Sequence, residues 1–101
     1  MAGYIKPQTV KSPKGAVTHL RVIHDGGPFG DGDDPWSGWS AAEFEWHEEP
    51  ALGLRWNGTD DSPLGHPQVR GIPMWFVVPG PLENTIREAV ANAPELHPSG
   101  D

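Results

Sequence analysis

Hydrophobic and polar positions alternate most clearly between Ala42 and His47. Ala42, Phe44 and Trp46 fall on one side, and Glu43, Glu45 and His47 on the other. A period of two is the mark of a half-buried strand, and the Phe44 side is the one expected to face a core. The next stretch repeats the pattern, with Leu52, Leu54 and Trp56 alternating with Ala51, Gly53 and Arg55. Glu48-Glu49-Pro50 reads as the turn between them, so the two segments predict a hairpin. This reading places Arg55 opposite Leu54 and away from the core. Asn57-Gly58, two residues that tolerate positive φ, end the second strand.

Upstream, Val17, His19, Arg21 and Ile23 alternate with Thr18, Leu20, Val22 and His24, which predicts a strand over Ala16–His24. Downstream, Trp75, Phe76, Val77 and Val78 make Ile72–Val78 apolar on both sides, the composition of a central strand. Pro73 lacks an amide hydrogen and fits only its start or an edge. After Pro79 the period becomes helical. Gly80 suits a cap, Pro81 the first helical position and Glu83 the positive end of the dipole, while Leu82, Ile86, Ala89, Val90 and Ala93 form an apolar stripe that Pro94 stops.

Two stretches carry neither period: Asp25–Ser40, rich in Gly, Pro and Asp, and Asn57–Gly71. Loops longer than about 12 residues in a compact domain are as a rule functional or disordered, so any site belongs there. The pattern as a whole predicts an α+β fold: a three- or four-stranded, mostly antiparallel sheet with one C-terminal helix on one face. A single domain is expected over residues 16–94, preceded by an arm (1–15) and followed by a frayed tail (95–101).

Composition bears on compartment and partners. A chain of 101 residues holds one core. With 13 Gly and 12 Pro much of it must be turn, yet five Trp supply the buried area that offsets the entropy of ordering. The absence of Cys excludes disulfides, thiolate zinc sites and a cysteine nucleophile, and fits a reducing compartment. The start from Met1 to Pro7 lacks the apolar run of a signal peptide, and Met74–Val78 is too short to span a bilayer, so a cytoplasmic protein with no membrane partner is expected. A net charge of −7 argues against direct nucleic-acid binding, which rests on Lys and Arg neutralising phosphates. Lys6, Lys11, Lys14 and Arg21 precede residue 25 with no acid among them, whereas Asp25, Asp31, Asp33, Asp34, Glu43, Glu45, Glu48 and Glu49 follow with no base before residue 50. If the two segments pair in a sheet, opposite charges face across it.

Candidate chemistry gathers in the second loop. Arg55, Asn57, Asp60, Asp61, His66, Gln68 and Arg70 are the candidate ligand-binding residues, since two planar guanidinium forks can clamp a carboxylate or phosphate. The plainer reading pairs Asp60 or Asp61 with Arg55 or Arg70 to hold the loop in place. Trp36 and Trp39 in the first loop, with Trp75, are candidate interaction residues, because Trp is enriched at binding hot spots. The five His match no metal-ligand spacing, although His19, His47 and Glu45 fall on strands that can be neighbours. Asp31-Gly32-Asp33-Asp34-Pro35 breaks the order of a calcium loop, and Gly26-Gly27-Pro28-Phe29-Gly30 lacks the lysine and helix of a phosphate cradle. No metal, no cofactor and no catalytic residue is expected.

The stretch Leu52-Gly53-Leu54-Arg55-Trp56-Asn57-Gly58, with the run from Pro63 through Gly65-His66-Pro67 and Arg70-Gly71 to Pro79, resembles small bacterial hypothetical proteins carried on mobile, integron-type gene cassettes. The resemblance implies no catalytic residue or cofactor and points only to the Arg55–Arg70 segment. The function expected is a noncatalytic binding or protein-interaction module that forms a homo-oligomer or engages a protein partner. The alternative is a small enzyme or metal-dependent protein, with a small-molecule ligand in a polar pocket formed by the 57–71 loop. A third reading is an acidic inhibitor of a nucleic-acid-binding partner.

Overall fold

The computed structural model describes residues 4–28, 34–59 and 61–93. Asp31, Asp33, Asp60, Pro94 and the expected tail lie outside them. In chain order the strands are β1 (Val17–Asp25), β2 (Trp39–Trp46), β3 (Glu49–Trp56), β4 (Gln68–Val69), β5 (Ile72–Pro73) and β6 (Phe76–Val77), followed by helix α1 (Glu83–Ala91). β1, β2, β3 and β6 form one antiparallel sheet in that order, and β4 and β5 a separate two-stranded ribbon. The fold is α+β, with a four-stranded sheet and one helix near the C-terminal end.

The β2–β3 hairpin runs unbroken from Trp39↔Trp56 to Trp46↔Glu49. Its turn is therefore His47-Glu48 rather than Glu48-Glu49-Pro50. Both residues take positive φ, 50° and 72°, the left-handed pair that a tight two-residue hairpin requires. β1 departs from simple alternation. Thr18 pairs with Glu45 but Arg21 with Glu43, and Val22 pairs with Ala42 but His24 with Ala41, so β1 carries an extra residue at two places. His19, with φ 56°, sits in the first of these bulges. The expected pairing of basic and acidic segments is present here: Arg21 donates to Glu43, and His19 lies 3.2 Å from Glu45.

The expected central strand Ile72–Val78 is split. Ile72–Pro73 closes the ribbon, and only Phe76–Val77 joins the main sheet, at its edge. Met74 engages its backbone outside the ladder: its N–H donates to the Pro67 carbonyl (2.9 Å) and its carbonyl accepts from Arg55 (2.6 Å). Trp75 then turns beneath the sheet.

The core lies on the Phe44 face, where Val17, Ala42, Phe44 and Ala51 meet Val10 and Trp75. It is covered by the N-terminal segment: Pro7–Thr9 forms a 3-10 turn, Val10 is 1% exposed, and Trp75 Nε1 donates to the Val10 carbonyl at 2.7 Å. Helix α1 follows a 3-10 turn at Gly80–Leu82 and lies over the opposite face, where Arg87 donates to Glu43 at 2.7 Å. None of its residues is buried, so it covers that face incompletely. Among the described residues no helix is long and apolar enough to cross a membrane.

Candidate functional site: an aromatic groove beside the second loop

The loop after β3 folds back on the strand it leaves. Trp56 N–H donates to the His66 carbonyl (2.7 Å) and His66 N–H to the Trp56 carbonyl (3.1 Å), pinning the two ends of a lobe, of which residues 57–59 and 61–65 are described. Gly65 permits the approach: its φ is 64°, and a side chain there would collide with the Trp56 carbonyl.

Arg55 holds this lobe from within. Strand register sets it beside Ser40 on the core face, not away from the core as alternation with Leu54 implied, and it is 3% exposed. Leu52, on the face opposite Arg55, is fully buried as well, so alternation along β3 does not identify the inner face. Arg55 donates through Nη1 to the Met74 carbonyl at 2.6 Å and through Nη2 to the Leu64 carbonyl, while Nε is buried without a partner. Burial pulls its pKa down to about 10, since desolvation disfavours the charged form. The guanidinium is thus a tie between β3, the loop and the segment leading to β6.

Asn57 is a second internal tie. At 3% exposure it accepts from Ser40 Oγ (2.9 Å), donates Nδ2 to the Gly27 carbonyl (2.7 Å) and donates its backbone N–H to the Gly38 carbonyl (2.8 Å). These bonds lash the first loop to the end of β3. Gln68 donates to the Gly65 carbonyl at 2.9 Å. Asp61 is exposed in the lobe, and Arg70 is exposed at the ribbon turn. Among the described residues no ion pair joins Asp61, His66 or either arginine, and no three His, Asp or Glu converge as metal ligands. Arg55, Asn57 and Gln68 thus serve as internal braces, while Asn57, Thr59, Ser62 and His66 line a small recess of ≈ 270 Å³ in the loop itself.

What the arrangement does create is an apolar groove of ≈ 610 Å³ at the β3–β6 end of the sheet. Trp39, Leu54, Trp56 and Phe76 line it together with Pro35, Pro67, His66 and part of Arg55. The register explains the cluster: Trp39 pairs with Trp56 and Leu54 with Phe76, so all four stand on the sheet face opposite the core. Family models, curated proteins and solved structures yield no match to this chain.

The three candidate interaction tryptophans separate. Trp39 packs its ring 4.3 Å from His24 and 5.7 Å from Trp36, and donates Nε1 to the Pro35 carbonyl (2.9 Å), so the first loop folds back to build the groove wall. Trp36 and Trp39 also line a smaller recess of ≈ 280 Å³ beneath Ile86 and Ala89 of α1. Trp75 is 5% exposed and belongs to the core, with its ring 6.0 Å from Phe44. Leu54, Trp56 and Phe76 are the groove residues that sequence reasoning left outside the candidate site. Their signal is the strand face they share, readable only once β6 is known to pair with β3.

Proposed function

We propose that the protein is a noncatalytic binding module whose contact site is the aromatic groove. The observation that supports this most directly is the concentration of Trp39, Leu54, Trp56 and Phe76 on one sheet face around a concave space of ≈ 610 Å³, within the size range of ligand-holding clefts. Of the polar residues singled out in the sequence, His66 and Arg55 reach it, and the donors of Arg55 are directed at two backbone carbonyls. Such a surface offers apolar contact area and exclusion of water, not a set of acid and base groups within reach of one atom.

A neutral naphthylamine dye, fluorescent in apolar surroundings, tests the reading on the folded protein. Saturable binding by the wild type, weakened roughly tenfold or more in Trp56→Ala with unchanged near-ultraviolet circular dichroism, is the expected result. Failure of the dye to bind at any attainable concentration when the protein is monomeric, or equal binding by Trp56→Ala, would overturn it.

A further inference from the structure

We infer that the occupant of the groove is the β4–β5 ribbon of a second copy of this chain, inserted reciprocally so that the two copies form a two-fold dimer. The inference rests on the groove being a binding site and names its partner.

The ribbon has an inverted polarity. Val69 and Ile72 are directly paired, so their side chains share one face, and both are about half exposed, at 55% and 50%. Its turn, Arg70-Gly71, has φ 54° and 78°, and the Cβ position of Gly71 meets no atom within 4 Å. A tight two-residue turn thus carries an apolar pair on an exposed face, where a partner can cover it. Pro67, which lines the groove, leads directly into Gln68 of β4, so the ribbon begins where the groove ends. A surface that carries a projection beside a recess can pair reciprocally with its own copy about a two-fold axis, the commonest symmetry of soluble homo-oligomers.

The area is sufficient for a dimer. The exposed large hydrophobic residues are Trp56, Val69, Ile72, Phe76 and Leu82, each about half exposed. They belong to the end of β3, the ribbon, β6 and the turn that follows it. Together they present on the order of 500 Å² of apolar surface. A stable interface buries about 800 Å² per partner, a little over half of it apolar, so the exposed area of these side chains is of the size that the apolar share of one interface needs.

Charge agrees. Arg70 at the ribbon tip and Asp61 in the lobe beside the groove are both exposed, and among the described residues neither has an ion-pair partner within its own chain. Insertion of the ribbon brings the Arg70 of one copy toward the lobe, and hence Asp61, of the other. Two such pairs, related by the axis, fix the register of the contact.

Sedimentation velocity across a concentration series, with the dye as second readout, tests the inference. The wild type is expected to be a dimer. Ile72→Glu and, independently, Val69→Lys are expected to shift it to monomer while leaving circular dichroism unchanged, because both positions are exposed. The freed groove of those monomers is expected to bind the naphthylamine dye at least about tenfold more tightly than the wild-type dimer does. A wild type that is monomeric at the highest attainable concentration would refute the dimer, and so would a dimer that survives both ribbon substitutions. In either case dye binding still judges the groove separately: dye bound with no ribbon-dependent dimer leaves the binding module standing, whereas no dye bound by the monomeric variants removes both.

Discussion

Phe44 and Gly53 are fitted to each other across the β2–β3 pair: the Phe44 ring lies with Cε1 only 2.5 Å from the position a Cβ on Gly53 would occupy. The same Cβ would lie 3.0 Å from Cβ of Trp75. The missing side chain is therefore what lets the core aromatics close on the centre of the sheet. Gly53→Ala is expected to destabilise the protein by about 1 to 3 kcal/mol, the range for overpacking a filled core, although Ala suits a strand better than Gly. Urea unfolding followed by Trp fluorescence measures it as a lower midpoint with an unchanged slope.

The hairpin turn at His47-Glu48 runs the other way. Both residues hold left-handed φ without the Asn or Gly that suits it, and both side chains are exposed. Each residue in that region bears a cost of roughly 1 to 2 kcal/mol, most of which Gly avoids. The double substitution His47→Asn with Glu48→Gly is expected to raise stability by at least about 1 kcal/mol. A melting temperature equal to or below that of the wild type contradicts the turn geometry.

Such turn chemistry shows why part of the molecule is legible in the sequence and part is not. The β2–β3 pair is legible because Phe44 and Glu43 differ so strongly in polarity that the two strand faces declare themselves, and the helix because Pro81 and Glu83 mark its start. β1 is only half legible: its bulges insert residues near His19 and Ile23, and each insertion exchanges the faces of everything beyond it. Arg55 is misassigned for a different reason. Ala51, Gly53, Leu52 and Leu54 are all apolar, so alternation marks no outer face, and an arginine satisfied by distant carbonyls looks like an exposed one. Ile72–Val78 reads as one strand because nothing local reveals that Pro67 and Arg55 claim the backbone of Met74. For the groove, Trp39 and His66 stand out by type, whereas Leu54 and Phe76 are indistinguishable from core residues until the strand order is known.

Asn57 is expected to be a stability residue. Asn57→Ala leaves the Gly27 carbonyl and the Ser40 hydroxyl without their partner in a buried site. Each buried polar group so orphaned costs about 1 to 3 kcal/mol. Because Asn57 ties the first loop to β3, the loss is expected to appear also as weakened near-ultraviolet circular dichroism from the Trp36–Trp39 pair. Retention of full stability in this variant would show that the first loop is held by other contacts.

Glu43 makes the docking of α1 sensitive to acid. Its carboxylate receives Arg87 (2.7 Å) from the helix and Arg21 from the neighbouring strand, while Arg87 also reaches Glu83 at 3.1 Å. The hydrogen bond from Arg87, reinforced by Arg21, holds the Glu43 pKa below the ordinary 4.5 against the opposing effect of burial. A carboxyl group depressed in the folded state favours the folded state at any pH above its unfolded value and loses that contribution as pH falls through the folded one. The wild type is therefore expected to lose stability from about pH 4.5 downward more steeply than Glu43→Gln, which has no charge to neutralise. At neutral pH Glu43→Gln is expected to be the less stable of the two by a margin that shrinks with added salt, since Arg21 is largely exposed and its attraction is screened. Melting temperatures of both proteins at several pH values and two ionic strengths decide the matter: parallel curves would mean that Glu43 is not the group that ties the helix to the sheet.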